Sequence, residues 1–413
     1  MSPRREPLPI LLLCTLVLSF IVTVQAQLKR PSCAKTGGLS RIVGYYETWS
    51  SYSWQRRCNM FTPEQIPLGV YTHLNVAYAT IDPNTFEVFP ATREDVGVYR
   101  RVAQLKKYDP DLELFISLGG WTFNSEKSTA TTLSDLAAEE GNQQVFIESL
   151  VSFMSTYGFD GVDIDWSYPA AKDRGGRPED FDNLPRFVRR LKEALRSTGG
   201  REGLSITLPA SQRHLQHFDI KKLVDYVDWF NVKTYDLHGT WDKGEKWTEA
   251  SLNAHTNLTE VQSTMDHLWR NYIRPDKVVL GLAFYGRGFT ATSSTCMEPG
   301  CSFESGSLFG NCSEEIGVLY NSEIDALLVE KNVKPQLYED AAVKVVTWDD
   351  QWVAYDDVDT FRIKVDFAKG QCMGGVMVSA VSYDNENATY SIALDKIVDR
   401  KLKSLHRVDS EET

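Results

Sequence analysis

From Arg41 onward the chain alternates short apolar runs with longer stretches in which apolar residues recur at helical spacing. The short runs cover residues 42–47, 73–81, 112–118, 161–166, 204–208, 229–235, 278–285 and 375–382. Strands buried on both faces read as continuous apolar runs. The stretches between them read as helices with one packed face, as in Phe181, Leu184, Phe187, Val188 and Leu191 with Arg and Lys between. Repeated βα units imply an α/β fold with a parallel sheet, and eight of them close a (β/α)8 barrel.

One interval is too long for a barrel helix. Between the seventh and eighth runs, residues 289–345 hold three cysteines, several glycines and short apolar runs. They predict a small α+β subdomain inserted between strands seven and eight and stapled because it buries little core of its own. The barrel then occupies 41–288 and 346–400, and residues 401–413 form a charged tail.

Residues 1–26 read as a secretory signal peptide: Arg4 and Arg5, an apolar run from Leu8 to Val24, and the small-residue end Val24, Gln25, Ala26. Residues 27–40 follow as an N-terminal segment, and the mature chain is expected outside the cell with no membrane attachment. The formal net charge is −12 at pH 7, and losing Arg4, Arg5 and Glu6 makes it about −13. Such a chain is a poor binder of phosphate backbones, which argues against nucleic acid and suits a neutral ligand such as a polysaccharide.

Cys14 leaves with the signal peptide. Six cysteines remain, Cys33, Cys58, Cys296, Cys301, Cys312 and Cys372, an even number in an exported chain, so three disulfides are expected. No CxxC pair or neighbouring histidine supports a zinc site among them. Asn257, Asn311 and Asn387 head N-glycosylation sequons. No cofactor motif is present, and a monomer is expected.

The chemistry concentrates in 158–169, GFDGVDIDWSYP. On a strand, alternation puts Asp163, Asp165 and Ser167 on one side. An unpaired buried carboxylate costs several kcal/mol, so two on one interior face indicate a site rather than a core. The run resembles the fourth-strand motif DxxDxDxE of the family 18 glycoside hydrolases, the chitinases, with Asp160, Asp163 and Asp165 in place and Ser167 where the family has Glu. Further motifs follow in family order. Ser117 to Gly119, Gly120 and Trp121 resemble the third-strand SxGG signature. Asn231 to Tyr235 and Asp236, followed by His238 to Asp242, resemble the sixth-strand NxMxYD motif. The run 281–289, with Tyr285 and Arg287, resembles strand seven, and 352–357, beginning at Trp352, resembles the approach to strand eight. The Cys58 context and the cysteine-rich insertion are most similar to fungal class V, killer-toxin-like members.

The resemblance implies a TIM barrel and substrate-assisted hydrolysis of chitin. The acetamido carbonyl of the substrate attacks the anomeric carbon while one protein acid protonates the leaving oxygen. In that scheme Asp165 orients the acetamido group, Asp163 tunes Asp165, and Tyr235 and Asp236 hold the acetamide and nearby hydroxyls. The acid position is Ser167, a hydroxyl too weak and too short to replace Glu; loss of general acid catalysis is worth roughly 10²- to 10⁴-fold. Two other departures fall on the same pocket: Lys233 stands for the family's methionine, and Ser379 for the tryptophan under the central sugar. Lys233 is expected to pair with Asp163 or Asp165.

Aromatic faces for sugar rings are expected from Tyr46, Trp121, Tyr168, Tyr285 and Trp352. The reading that follows is a secreted chitin-binding protein without hydrolytic activity, suited to sequestering chitin fragments. A weakly active or altered endochitinase and a protein-binding scaffold or toxin-like subunit are the alternatives.

Overall fold

The computed structural model describes residues 39–52, 60–244 and 249–399. The expected signal peptide, the tail 401–413, Cys33 and Cys58 lie outside the described residues. Eight parallel strands close a barrel in the order β1 (Arg41–Glu47), β15 (Gly375–Ser379), β8 (Val278–Ala283), β7 (Trp229–Lys233), β6 (Gly203–Pro209), β5 (Gly161–Asp165), β4 (Glu113–Gly119) and β2 (His73–Ile81), with β2 returning to β1. A short β3 (Val88–Pro90) runs antiparallel on β2. The eight expected strands are these eight, with ends shifted by a few residues.

Alternation sorts each strand into two faces. In β1, Ile42 and Tyr46 point outward into the large core under the helices, while Val43 and Tyr45 point into the barrel. Inside, Val43, Tyr45, Ala77, Phe115, Trp229, Val279 and Met377 form an apolar plug, so the barrel is filled rather than open. Nearer the carboxyl ends the interior turns polar. Ser117, Asp163 and Ser205 stand side by side in register across β4, β5 and β6.

The outer helices follow their sequence pattern. In the helix Asp180–Arg196, Leu184, Phe187, Val188, Leu191 and Leu195 are buried on one face, whereas Phe181 is left exposed at the first turn. The helix Glu140–Tyr157 ends where Gly158 takes a left-handed φ of 80°, a conformation glycine adopts without a Cβ penalty, and the chain turns directly into β5. Among the described residues no helix is long and apolar enough to cross a membrane.

At Phe284 the chain leaves β8 and enters a second, antiparallel sheet. It consists of β9 (Tyr285–Ala291), β10 (Phe303–Gly306), β11 (Val318–Tyr320), β12 (Gln336–Tyr338), β13 (Val343–Trp348) and β14 (Gln351–Tyr355), with the order β10-β9-β14-β13-β12 and β11 paired to β9. One helix, Asn321–Lys331, belongs to it. The unit is α+β and spans Tyr285–Tyr355, wider than the 289–345 read from sequence because β9 and β14 are its central paired strands. Cys296 and Cys301 form a disulfide with Cα atoms 5.7 Å apart, and Cys312 and Cys372 are each disulfide-bonded as well.

Candidate functional site

Parallel strands deliver their carboxyl ends to one rim of a barrel, and the loops that follow them build the site there. Asp163 lies deepest, fully buried. Tyr45 donates to it at 2.6 Å, Ser117 and Ser205 at 2.7 Å each, and Thr207 and Asn231 at 3.2 Å. Burial raises the pKa of Asp163; the hydrogen bonds from Tyr45, Ser205 and Ser117 oppose that rise, and the Asp165 charge adds to it. With so many donors its oxygens face a preset polar cage and no solvent.

Two residues on, Asp165 is buried at the carboxyl end of β5. The Tyr78 hydroxyl lies 3.4 Å from one of its oxygens. The other oxygen accepts from the Ser167 hydroxyl at 3.1 Å and from the Lys233 ammonium at 2.8 Å. Lys233 also donates to Ser167 Oγ at 2.6 Å. Lys233, Asp165 and Ser167 therefore form a closed triangle at the ends of β5 and β7, and the expected partner of Lys233 is Asp165 rather than Asp163.

A second charged cluster follows β7. Asp236, at a left-handed φ of 57°, accepts from Tyr285 at 2.7 Å and from Arg287 Nε at 2.6 Å, and His255 Nδ1 is 3.6 Å away. Burial works against its charge, but the Arg287 charge and the hydrogen bond from Arg287 outweigh it and hold the carboxyl well below the usual range. Tyr235 stands half-buried beside this cluster, its hydroxyl 3.8 Å from Met377 Sδ and its ring edge-on to Tyr285 at 6.1 Å.

Aromatic rings line the rim above. Trp121 is 62% exposed and meets Tyr168 edge-on at 6.1 Å, with the Arg174 guanidinium 5.1 Å and 5.0 Å from their ring centres. Trp49, 40% exposed, lies nearly parallel to Tyr78 at 6.3 Å. Trp241, 42% exposed, carries Arg287 at 4.7 Å.

Some expected site residues stand elsewhere. Tyr46 is 0% exposed and faces the outer core, its hydroxyl bonded to Ser51 and to the Phe61 carbonyl; the inner face of β1 belongs to Tyr45. Trp352 is also 0% exposed, packed on Phe289 inside the second sheet. Asp160 precedes β5 at the opposite end of the barrel, where Lys106 and the Leu114 amide hold it.

Gly119 and Gly120 act by making room. A Cβ on Gly119 would meet the Asp165 carbonyl at 2.2 Å, and one on Gly120 would meet the Tyr78 ring at 2.5 Å. Their φ values of 107° and 81° also suit glycine alone. Tyr45, Tyr78, Trp49 and Arg174 were not singled out from sequence. Inward parity in β1 would have identified Tyr45, and position just beyond a strand end would have flagged Trp49.

The family model described as Glycosyl hydrolases family 18 matches residues 41–384. A probable chitinase, LysM11 of Penicillium expansum, is 29% identical over 88% of this chain. Chitotriosidase-1 of Mus musculus is 28% identical over 86%, and the secreted chitinase LysM12 of Penicillium expansum 28% over 84%. The chain spans 34%, 75% and 24% of those relatives' own lengths. The Ostrinia furnacalis Group II chitinase catalytic domain 2 superposes with a TM-score of 0.77 at 24% identity, covering 87% of this chain and 96% of that one. Human YKL-39, described as a pseudo-chitinase with retained chitooligosaccharide binding, gives 0.75 at 24% identity, covering 86% and 98%. With its barrel closed and most of its length matched, the chain belongs to the family 18 glycosyl hydrolases.

Proposed function

We propose that this protein binds chito-oligosaccharides along the groove at its strand ends and does not cleave them. The observation that carries this reading is the triangle at Ser167. Where the resemblance puts the proton donor of substrate-assisted hydrolysis, the chain has a hydroxyl that accepts from the Lys233 ammonium and donates to Asp165. A serine hydroxyl gives up its proton far too reluctantly for general acid catalysis near neutral pH, and losing that catalysis costs roughly 3 to 5 kcal/mol of barrier.

The equipment for holding a sugar remains. The resemblance assigns Asp165, Tyr235 and Asp236 to the acetamido group, and Trp121, Trp49 and Trp241 offer partly exposed rings at the same rim. The secretory reading of residues 1–26 puts this binding outside the cell, where chitin fragments would be sequestered. The retained aspartates favour one second reading, a weakly active chitinase. Titration calorimetry with chitohexaose tests the proposal. Micromolar or tighter binding, with hexamer recovered intact, is the expected result; shorter products favour the weak enzyme, and no heat with no products favours a scaffold without sugar recognition.

A further inference from the structure

Arg174 has a setting unlike that of the other cations at the rim. Lys233 is neutralised by Asp165 and Arg287 by Asp236. Arg174 instead lies over the faces of Trp121 and Tyr168, 5.1 Å and 5.0 Å from the ring centres, and among the described residues no carboxylate pairs with it. Cation–π contact fixes the plane of the guanidinium but consumes none of its five N–H donors.

The loop that carries Arg174 is held in place. The buried carboxylate of Asp180 accepts from the Ala170 and Arg177 amides at 3.0 and 2.6 Å and from Ser134 Oγ at 2.6 Å. Gly175 turns the chain directly after Arg174 at a φ of 79°, and a Cβ on Gly176 would meet the Tyr168 carbonyl at 2.6 Å. The arginine is therefore preset rather than waving in solvent, and it sits beside the most exposed tryptophan of the rim. A flat donor fork without a counter-ion, fixed next to a sugar-stacking face, matches a carboxylate in shape and charge.

We infer that Arg174 forms an anion subsite at the Trp121 end of the groove, and that the protein prefers N-acetylhexosamine oligosaccharides carrying a carboxylate over neutral ones. This rests on the groove reading above and adds the ligand's charge to it. In a chain of formal net charge −12, the long-range field disfavours an acidic ligand, so the preference depends on this local cation.

Calorimetry with two probes tests the inference: chitohexaose, and chitohexaose oxidised at C6 to about one carboxylate per chain. The wild-type protein binds the oxidised probe about tenfold more tightly in dilute buffer, and the advantage shrinks in about 0.5 M NaCl. Arg174→Gln binds the two probes equally, so that the preference is gone, and Arg174→Lys keeps part of it. Equal or weaker binding of the oxidised probe by the wild type overturns the inference and leaves the groove reading intact. So does a uniform loss of both ligands in Arg174→Gln, which would make Arg174 only a prop for Trp121. Failure of the wild type to bind either probe overturns both readings.

Discussion

The Lys233 ammonium lies 2.8 Å from an Asp165 carboxylate oxygen and 2.6 Å from the Ser167 hydroxyl. Two of the three positions that the resemblance marks as departures from the family motifs are thus in direct contact. The third, Ser379, ends β15 and touches neither of them. Changes that touch one another behave as a unit, and their effects do not add.

Restoring the acid alone is therefore insufficient. A glutamate at position 167 would meet the Lys233 ammonium, which depresses a neighbouring carboxyl pKa by about 1 to 3 units and leaves it without a proton to donate at neutral pH. Ser167→Glu is expected to show little hydrolysis of a fluorogenic chitotrioside, and Ser167→Glu with Lys233→Met at least about tenfold more. Full family turnover from the single change would show that Lys233 is catalytically irrelevant.

Lys233→Met on its own strands Asp165, which is buried with its countercharge gone. Urea unfolding should register a loss of about 1 to 3 kcal/mol, below the range for a fully buried pair because Lys233 is partly exposed. Adding Asp165→Asn should return most of it. A Lys233→Met protein as stable as wild type would mean that the pair contributes nothing to the fold.

Trp121 and Trp352 make a contrasting couple. Trp121→Ala is expected to weaken chitohexaose binding by about 1 to 3 kcal/mol, on the scale of ring stacking against bases, with the melting temperature nearly unchanged. Trp352→Ala removes a fully buried ring and should cost about 3 to 5 kcal/mol of stability. If Trp121→Ala binds as well as wild type, the exposed ring is no sugar platform.

His238 gives the fold a pH signature. Burial opposes its charge, but hydrogen bonds to Asp242 and Glu260 at 2.8 and 2.9 Å, and the charges of both, push its pKa up to about 9. A folded pKa above the unfolded one stabilises fully below about pH 6.5, and that contribution is lost as pH rises through about 9. Compared with His238→Gln, the wild type should gain about 2 to 3 kcal/mol at pH 6, and the gap should narrow by about pH 9.5. A constant gap across that range would exclude a charged His238.

The eight barrel strands were legible because each is a continuous apolar run, and the Asp163–Asp165 face followed from alternation alone. Alternation also held the correction for Tyr46, since only one of Tyr45 and Tyr46 can face inward; reading the pair by residue type hid it. Trp352 misled for a different reason. Its strand pairs with β9, 60 and more residues away in sequence, and such long-range antiparallel pairing leaves no local signal. Arg174 was invisible because its meaning depends on two rings supplied by separate loops.

Binding without cleavage is decided by prolonged incubation of chitohexaose with stoichiometric protein at neutral pH, followed by mass spectrometry of the saccharides. Intact hexamer, bound and recoverable, is the expected result of the proposed binding. Accumulation of dimers and trimers, abolished by Asp165→Asn, would contradict it.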